Sequence, residues 1–330
     1  MPGNDQSRAP PSSTTRRTPG AVRAVSGGAG TRFDELVREH LASQWAAWHS
    51  ALVGVHLGQD PESVHDLRVA ARRLDITLQL GDGALPAPLR QARPMLRRLM
   101  RSFGVARDLD VGLDMLGNLA KVLPRRERRA LEPLRLRLIT QRQLEQRQLI
   151  RVLQSPAIRQ WDKKLTATLR NAWPDVQVRR RLAVHAAPPL IRQLYRRLCK
   201  DGDLLTADSS VRDHHVVRAH VRRFRYALEL VVPLYTPPVT RMLRSLQRLQ
   251  DRLGAQHDAF VLHRRLSALA QDDTMGLPAK TLFSMGQITE RFLVAAKRTD
   301  PRFTKIYRKI RGARWRALQR AFEKAAVHSR

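Results

Sequence analysis

The chain carries one motif twice. His65-x-x-Arg68-x-x-x-Arg72-Arg73 is followed by Gly104-x-x-Arg107-Asp108, and His215-x-x-Arg218-x-x-x-Arg222-Arg223 by Gly254-x-x-His257-Asp258. Both pieces recur 150 residues on (65 to 215, 108 to 258), in one register. A repeat constrains the fold before any residue-level reasoning, because each copy must build the same local unit. The expected organisation is a first half over 31–179 and a second over 180–328, each aiming a basic cluster. Residues 1–30 are rich in Pro, Ser, Thr, Gly and Arg, lack apolar periodicity, and read as a disordered basic tail.

Everything after residue 31 follows helical periodicity. Phe33, Leu36, Val37, Leu41, Trp45 and Trp48 recur at steps of three or four, the spacing of an amphipathic helix. Asp60-Pro61-Glu62 supplies a cap, a first-turn proline and an acid, so a second helix begins there and ends near Gly81-Asp82-Gly83. Pro86 opens a third that stops at Gly104, and a fourth runs from Arg107-Asp108 to Pro124. One long helix is expected over 125–154, and Ser155-Pro156 opens another. Pro188 lies near the start of the helix bearing Leu190, Leu194 and Leu198, and Asp208-Ser209-Ser210 caps the helix of the second motif. Thr236-Pro237 begins the next, which Gly254 ends. A further helix reaches about Ala270, and two more fill roughly 278–298 and 301–327. No stretch alternates Val or Ile with polar residues over a useful length. The expected fold class is all-α, with two helical bundles.

On a helix, positions i, i+3 and i+7 share a face, so His65, Arg68 and Arg72 form a stripe about 10 Å long, at ~1.5 Å per residue. Arg73 widens it. The second stripe, His215, Arg218 and Arg222, continues to Arg225, with Arg223 beside it. Leu67, Ala71, Leu74 and Leu78 are left to face the core in the first copy, and Val217, Val221, Phe224 and Leu228 in the second. Like charges at i, i+4 repel by a few tenths of a kcal/mol each; a sequence that tolerates this twice gains by binding an anion. Arg97, Arg98 and Arg101 precede Gly104, and Arg244, Arg248 and Arg252 precede Gly254. The turn after each glycine is expected to expose the amides of a new helix N-terminus, an anion site, beside Arg107 or His257. Asp108 and Asp258 are expected to orient an arginine or cap the helix, and Tyr226 and Trp45 to be core.

The composition agrees with an anionic partner. Lys and Arg total 61 against 29 Asp and Glu, a formal charge of +32, and a field of that size opposes folding unless a polyanion neutralises it. Nucleic acid, an anionic membrane surface and inorganic phosphate polymer are the candidate partners. Arginine dominates, which favours forked recognition of phosphate oxygens. Cys199 is the one cysteine, so no disulfide framework exists and a reducing compartment is expected. No apolar run is long enough for a transmembrane helix, and the N-terminus does not read as a secretory signal.

These residues resemble the CHAD family, the conserved histidine α-helical domain. His65-Asp66-Leu67-Arg68-Val69-Ala70-Ala71-Arg72-Arg73-Leu74 and Phe103-Gly104-Val105-Ala106-Arg107-Asp108-Leu109-Asp110-Val111 match its first-half hallmarks. His215, Arg218, Arg222, Arg225, Tyr226 and Glu229 match the second, with Arg222 in place of a lysine. Asp75 stands where the family pattern has arginine, which weakens the first stripe. Over about 31–325 the resemblance implies two four-helix bundles related by pseudo-twofold symmetry, with additional helices. It also implies a basic groove or pore that binds inorganic polyphosphate and directs the protein to polyphosphate granules in the cytoplasm. The triphosphate tunnel domain attached in some relatives has no counterpart here, so a stand-alone module is expected.

The expected binding set is His65, Arg68, Arg72, Arg73, Arg98, Arg101 and Arg107 in the first half. In the second it is His215, Arg218, Arg222, Arg223, Arg225, Arg248, Arg252 and His257, with the second stripe holding more of the polymer. No cofactor and no catalytic residue is expected. Nonspecific nucleic-acid binding is the alternative reading, although the motifs are not interleaved with exposed aromatics. A metal-dependent phosphohydrolase is weaker still. His65-Asp66 and His257-Asp258 have no matching doublets in the other copy, and a divalent metal would sit beside four arginines.

Overall fold

A computed structural model describes residues 28, 30–57, 61–173, 181–206, 209–272, 276–297 and 301–329. The tail expected over 1–30 lies outside the described residues apart from Gly28 and Gly30, as do the caps expected at Asp60 and Asp208. The helices are α1 (Phe33–Leu57), α2 (Pro61–Leu80), α3 (Ala87–Arg90), α4 (Arg93–Val122), α5 (Arg125–Ala130), α6 (Glu132–Leu153) and α7 (Pro156–Arg170). They continue as α8 (Ala183–Gly202), α9 (Val211–Leu230), α10 (Val232–Tyr235), α11 (Pro238–Ala270), α12 (Ala279–Lys297), α13 (Pro301–Lys309) and α14 (Trp315–Val327). A π-helical turn, Ile310–Arg314, joins the last two. The described residues contain no strand, only an isolated bridge between Arg32 and Leu182. The fold is all-α.

The helix starts keep the spacing of the motifs: 33 and 183 for α1 and α8, 61 and 211 for α2 and α9. The packing order is alike as well, α1 on α2 on α4 on α6, then α8 on α9 on α11 on α12. The two series begin side by side, because Phe33 N–H donates to the Arg181 carbonyl (2.9 Å) and Ala183 N–H to that of Thr31 (2.8 Å). They do not form separate cores. One apolar cluster takes Leu36, Trp48, Leu67 and Phe103 together with Leu198, Phe224, Leu246 and Phe322. A second joins Leu109, Leu116, Leu134 and Leu138 to Leu262, Leu266, Met285 and Ile288. The long segment around 125–180, in its described part, belongs to this framework: Leu149, Leu153, Ile158, Leu165 and Leu169 are all in the main cluster. There Trp161 meets Trp45 edge-on at 5.4 Å, and Trp45 donates from Nε1 to Thr166 Oγ1 at 3.0 Å.

Prolines and caps explain the boundaries. Ser210 and Asp213 form a reciprocal capping box, Ser210 Oγ accepting from the Asp213 amide (3.2 Å) and Asp213 Oδ2 from that of Ser210 (3.0 Å), so α9 starts at the expected place. The single helix expected over 125–154 is broken at Leu131, because Pro133 in the first turn of α6 has no amide to continue α5. The helix expected to start near Pro188 begins five residues earlier, at Ala183, with Pro188 and Pro189 inside it. Pro188 leaves the Val184 carbonyl without its usual partner, and Tyr235 Oη donates to it instead, at 3.2 Å. The C-terminal end of α8 is closed by α13, where Tyr307 Oη donates to Asp203 Oδ1 (2.8 Å). A Cβ at Gly202 would stand 2.5 Å from that hydroxyl and 2.8 Å from Cζ of the ring. Gly202→Ala is therefore expected to destabilise the protein by about 1–3 kcal/mol through overpacking, read as a lowered urea midpoint; an unchanged midpoint would mean that α13 yields freely.

Candidate anion-binding site

Amphipathic geometry decides where the motifs point. Val64, Leu67, Ala71 and Leu74 are buried on α2, and Val217, Val221, Phe224 and Leu228 on α9, which turns the histidine and arginine stripes away from the core. α2 packs on α9, α4 on α2, and α11 on both α9 and α4, so the two stripes meet. Arg218 lies close enough to act on the charge of Arg68, and Arg222 on that of Arg72.

Each stripe has the same anchor. Arg68 Nη1 is 3.6 Å from Asp108 Oδ1, and Arg218 Nη2 is 3.8 Å from Asp258 Oδ1. These side chains are only 20% and 18% exposed, yet Arg218 Nε is buried with no hydrogen-bond partner. Two aspartates do not balance the cluster. Burial, then Arg222 and Arg68, pull Arg72 down to about 8. Burial, with Arg218 and Arg68, pulls Arg222 down to about 10. Burial also lowers Arg68 and Arg218, against the pull of their aspartates. Arginine keeps its proton in proteins, so what remains is desolvated, mutually repelling charge that an arriving anion would relieve.

The histidines stand in the same field. Burial, with Arg107 next, lowers His65 to about 4. Burial, with Arg218 next, lowers His257 to about 3, and His215 is lowered for the same reasons. All three are neutral at pH 7, and the Nδ1 atoms of His215 and His257 lie 3.2 Å apart, one donating to the other. Arg107, the repeat counterpart of His257, pairs with Glu62 Oε1 at 3.2 Å.

A family model described as the CHAD domain matches residues 39–267. The chain belongs to the CHAD family. Among solved structures it is similar to the CHAD domain from the plant Ricinus communis, with a TM-score of 0.71 and 25% identity, over 89% of this chain and 97% of that one. It is also similar in fold to PptA from Streptomyces chartreusis, with a TM-score of 0.62 and 17% identity over 89% of this chain and all of that one. A search of curated protein sequences finds no match.

The CHAD hallmark residues divide into those that line the site and those that brace it. His65, Arg68, Arg72, Arg107, His215, Arg218, Arg222 and His257 come together. Arg73 instead crosses from α2 to Glu229 on α9 (Nε to Oε2, 2.7 Å). Arg225 Nη1 reaches the other oxygen of Glu229 at 3.0 Å, and its Nε donates to Gln250 (3.1 Å). Both guanidinium groups lie over the Tyr226 ring, and Tyr226 is core, as is Trp45. Arg101 and Arg223 are exposed. Arg98 lines a separate cavity with Arg151, and Arg248 and Arg252 another with Arg302. On α11 the nine residues from Arg248 to His257 amount to about half a turn of the wheel at 3.6 residues per turn, which is why the two do not share a face. Arg265 was not foreseen. It is seven positions beyond Asp258 on α11, close enough to feel Asp108 and Glu145, and extending the stripe by the same spacing would have found it.

Two expectations are corrected. Gly104 and Gly254 end no helix; they lie inside α4 and α11. A mid-helix glycine costs only about 1 kcal/mol relative to alanine, whereas buried Leu99, Phe103, Ala106 and Leu109, and Leu249, Leu253, Ala259 and Leu262, carry the apolar stripe straight through. The helix N-termini expected beside Arg107 and His257 are therefore not formed, and the site is built from side chains alone. Among the described residues no group of three or more His, Cys, Asp or Glu is placed to hold a metal ion.

A Cβ at Gly104 or Gly254 would meet nothing within 4 Å. Gly104→Ala and Gly254→Ala are each expected to raise stability by about 0.5–1 kcal/mol, measured by denaturant unfolding. The histidines set a pH dependence. Held below 6.5 in the folded chain, His65 and His257 resist protons that the unfolded chain takes up. Their contribution is present above pH 6.5 and lost as pH falls from 6.5 toward 4 for His65 and toward 3 for His257. Tm should fall across that window, and less steeply in a His65→Asn, His257→Asn variant; equal slopes would remove these rings as the cause.

Proposed function

We propose that this CHAD protein binds inorganic polyphosphate, without catalysing a reaction on it, along the face where α2 and α9 meet. The observation that carries the reading is the convergence of Arg68, Arg72, Arg218 and Arg222 from both halves, with Asp108 paired to Arg68 and Asp258 to Arg218. A linear polymer with a charge on every unit is suited to so dense a cluster, and arginine forks suit its oxygens. Polyphosphate has no bases to read, and the motif aromatic Tyr226 is only 3% exposed, which supplies no stacking platform of the sort single-strand binders use. The titratable groups of the site are neutral imidazoles and aspartates tied to arginine, which favours holding a ligand over cleaving one. Recruitment to polyphosphate granules in the cytoplasm follows as the role of such binding. Among the described residues no helix is long and apolar enough to cross a membrane.

At ~150 mM salt, where surface charge is screened beyond about 8 Å, long-chain polyphosphate should bind at least tenfold tighter than single-stranded DNA of equal charge. Equal affinities would favour the nucleic-acid reading, a generic polyanion binder with a steep salt dependence. Changing Arg68, Arg72, Arg218 and Arg222 together to Gln should weaken long-chain binding at least tenfold while the circular dichroism stays helical, and undiminished affinity would move the site elsewhere. Incubation with Mg²⁺ or Mn²⁺ should leave polyphosphate chain length unchanged; shortening would make the protein a hydrolase.

A further inference from the structure

On the other side of α11 lies a cavity of about 340 Å³ that the repeated motif does not account for. Its described lining is Arg248 and Arg252 with Ser245 on one wall, and Arg302, Lys305, Lys309 and Arg314 with Ile306 on the other. Six of these eight side chains are cationic and none is acidic. Arg314 Nε is buried and has no hydrogen-bond partner. The second wall comes wholly from beyond residue 267, where the CHAD match ends.

The wall is shaped for this by the π-helical turn. Arg302, Lys305 and Lys309 share one face of α13, at i, i+3 and i+7. Regular α-helix would bring residue 313 next onto that face. The wider π turn at Ile310–Arg314 accommodates one extra residue, so Arg314 takes that place. Such single-turn insertions are frequent at functional sites. The wall is also fixed in position: Arg311 Nε donates to Asp203 Oδ1 at 2.9 Å, and Tyr195 Oη donates to the Arg311 carbonyl at 3.1 Å. The repeat-related position in the first half, between α4 and the α6–α7 corner, is a cavity of about 630 Å³ with Arg98 and Arg151 as its described cations. The cationic lining is thus a feature of the second half and its C-terminal helices.

We infer that this cavity is a second anion site, and that it takes a compact condensed phosphate: a free short chain such as tripolyphosphate, or the end of a longer polymer. Six cations in so small a volume match several adjacent phosphates better than one, and its described lining has no aromatic residue to hold a base. The site is independent of the α2–α9 face, since the two occupy different faces of α11.

Titrating the full chain with tripolyphosphate at ~150 mM salt tests this. The variant with all four arginines of the α2–α9 face changed to Gln should still bind tripolyphosphate. Adding Arg248→Gln, Lys305→Gln and Lys309→Gln, all exposed positions, should weaken that binding at least tenfold, with helicity unchanged. Removing three exposed cations elsewhere, by Arg125→Gln, Arg126→Gln and Arg129→Gln, should change it less than twofold. The inference is overturned if the four-arginine variant no longer binds tripolyphosphate. Equal losses from the two three-cation sets, or no loss from the cavity set, would overturn it too. If the cavity holds chain ends, long-chain polyphosphate displaces tripolyphosphate from the four-arginine variant; if it holds free short chains, it does not. The drop in long-chain affinity from the unchanged protein to the four-arginine variant tests the α2–α9 reading separately.

Discussion

Arg68, Arg72, Arg218 and Arg222 repel one another, and the structure is arranged so that they cannot separate. The force that holds them is on the opposite side of the same helices. Each fully buried Leu, Val or Phe of α2 and α9 contributes about 1.5–3 kcal/mol, whereas like charges at i, i+4 oppose the helix by a few tenths. Leu67, Leu74, Val221 and Phe224 are at most 2% exposed. With that imbalance the apolar faces set the helix orientation, and the arginines go where the backbone takes them. A cationic face held by its own core needs no ligand to form.

Glu229 is the means by which the halves are kept in register across that face. It accepts Arg73 from the first half and Arg225 from the second, and Tyr226 provides a ring beneath both guanidinium groups. The arginine that sets the second stripe apart is therefore engaged in bracing. In the first half, Asp75 occupies the corresponding place and draws Arg93 and Arg97 to itself, at 3.1 and 3.3 Å. At equivalent positions, then, Arg225 braces α9 to α11 within the second half and Asp75 braces α2 to α4 within the first, with the charges reversed.

Helix existence and the inward faces were legible because burial obeys a period that can be counted along the chain. Phe33 to Trp48 and Val217 to Leu228 are buried as their spacing required. The glycines misled for a definite reason. A breaker acts through a local preference of about 1 kcal/mol, and the packing of Leu99 and Phe103 before Gly104 and of Ala106 and Leu109 after it outweighs that. Pro188 misled similarly, since the hydroxyl that satisfies Val184 comes from Tyr235, 51 positions away. The pairing of Arg68 with Asp108 and of Arg218 with Asp258 was foreshadowed by the repeat, because what recurs together has a shared local task. The bridge from Arg73 to Glu229 was hidden: it joins residues that lie in different copies, and their repeat equivalents, Arg223 and Gln79, are not an ion pair. Arg248 and Arg252 were assigned to the wrong neighbourhood because closeness along α11 was read as closeness around it.

The apolar cluster shared by both halves has a consequence for how the site can fail. Phe103 and Leu67 lie in the same continuous packing as Phe224 and Phe322, so neither series can loosen while the other keeps its own interior. A fluctuation that opens α1 and α2 strips α8 and α9 of their neighbours. Partial occupancy of the fold is then not a state in which half of the arginine face survives. The face is either whole or gone, and its charge cluster would disperse in a single event and not by degrees.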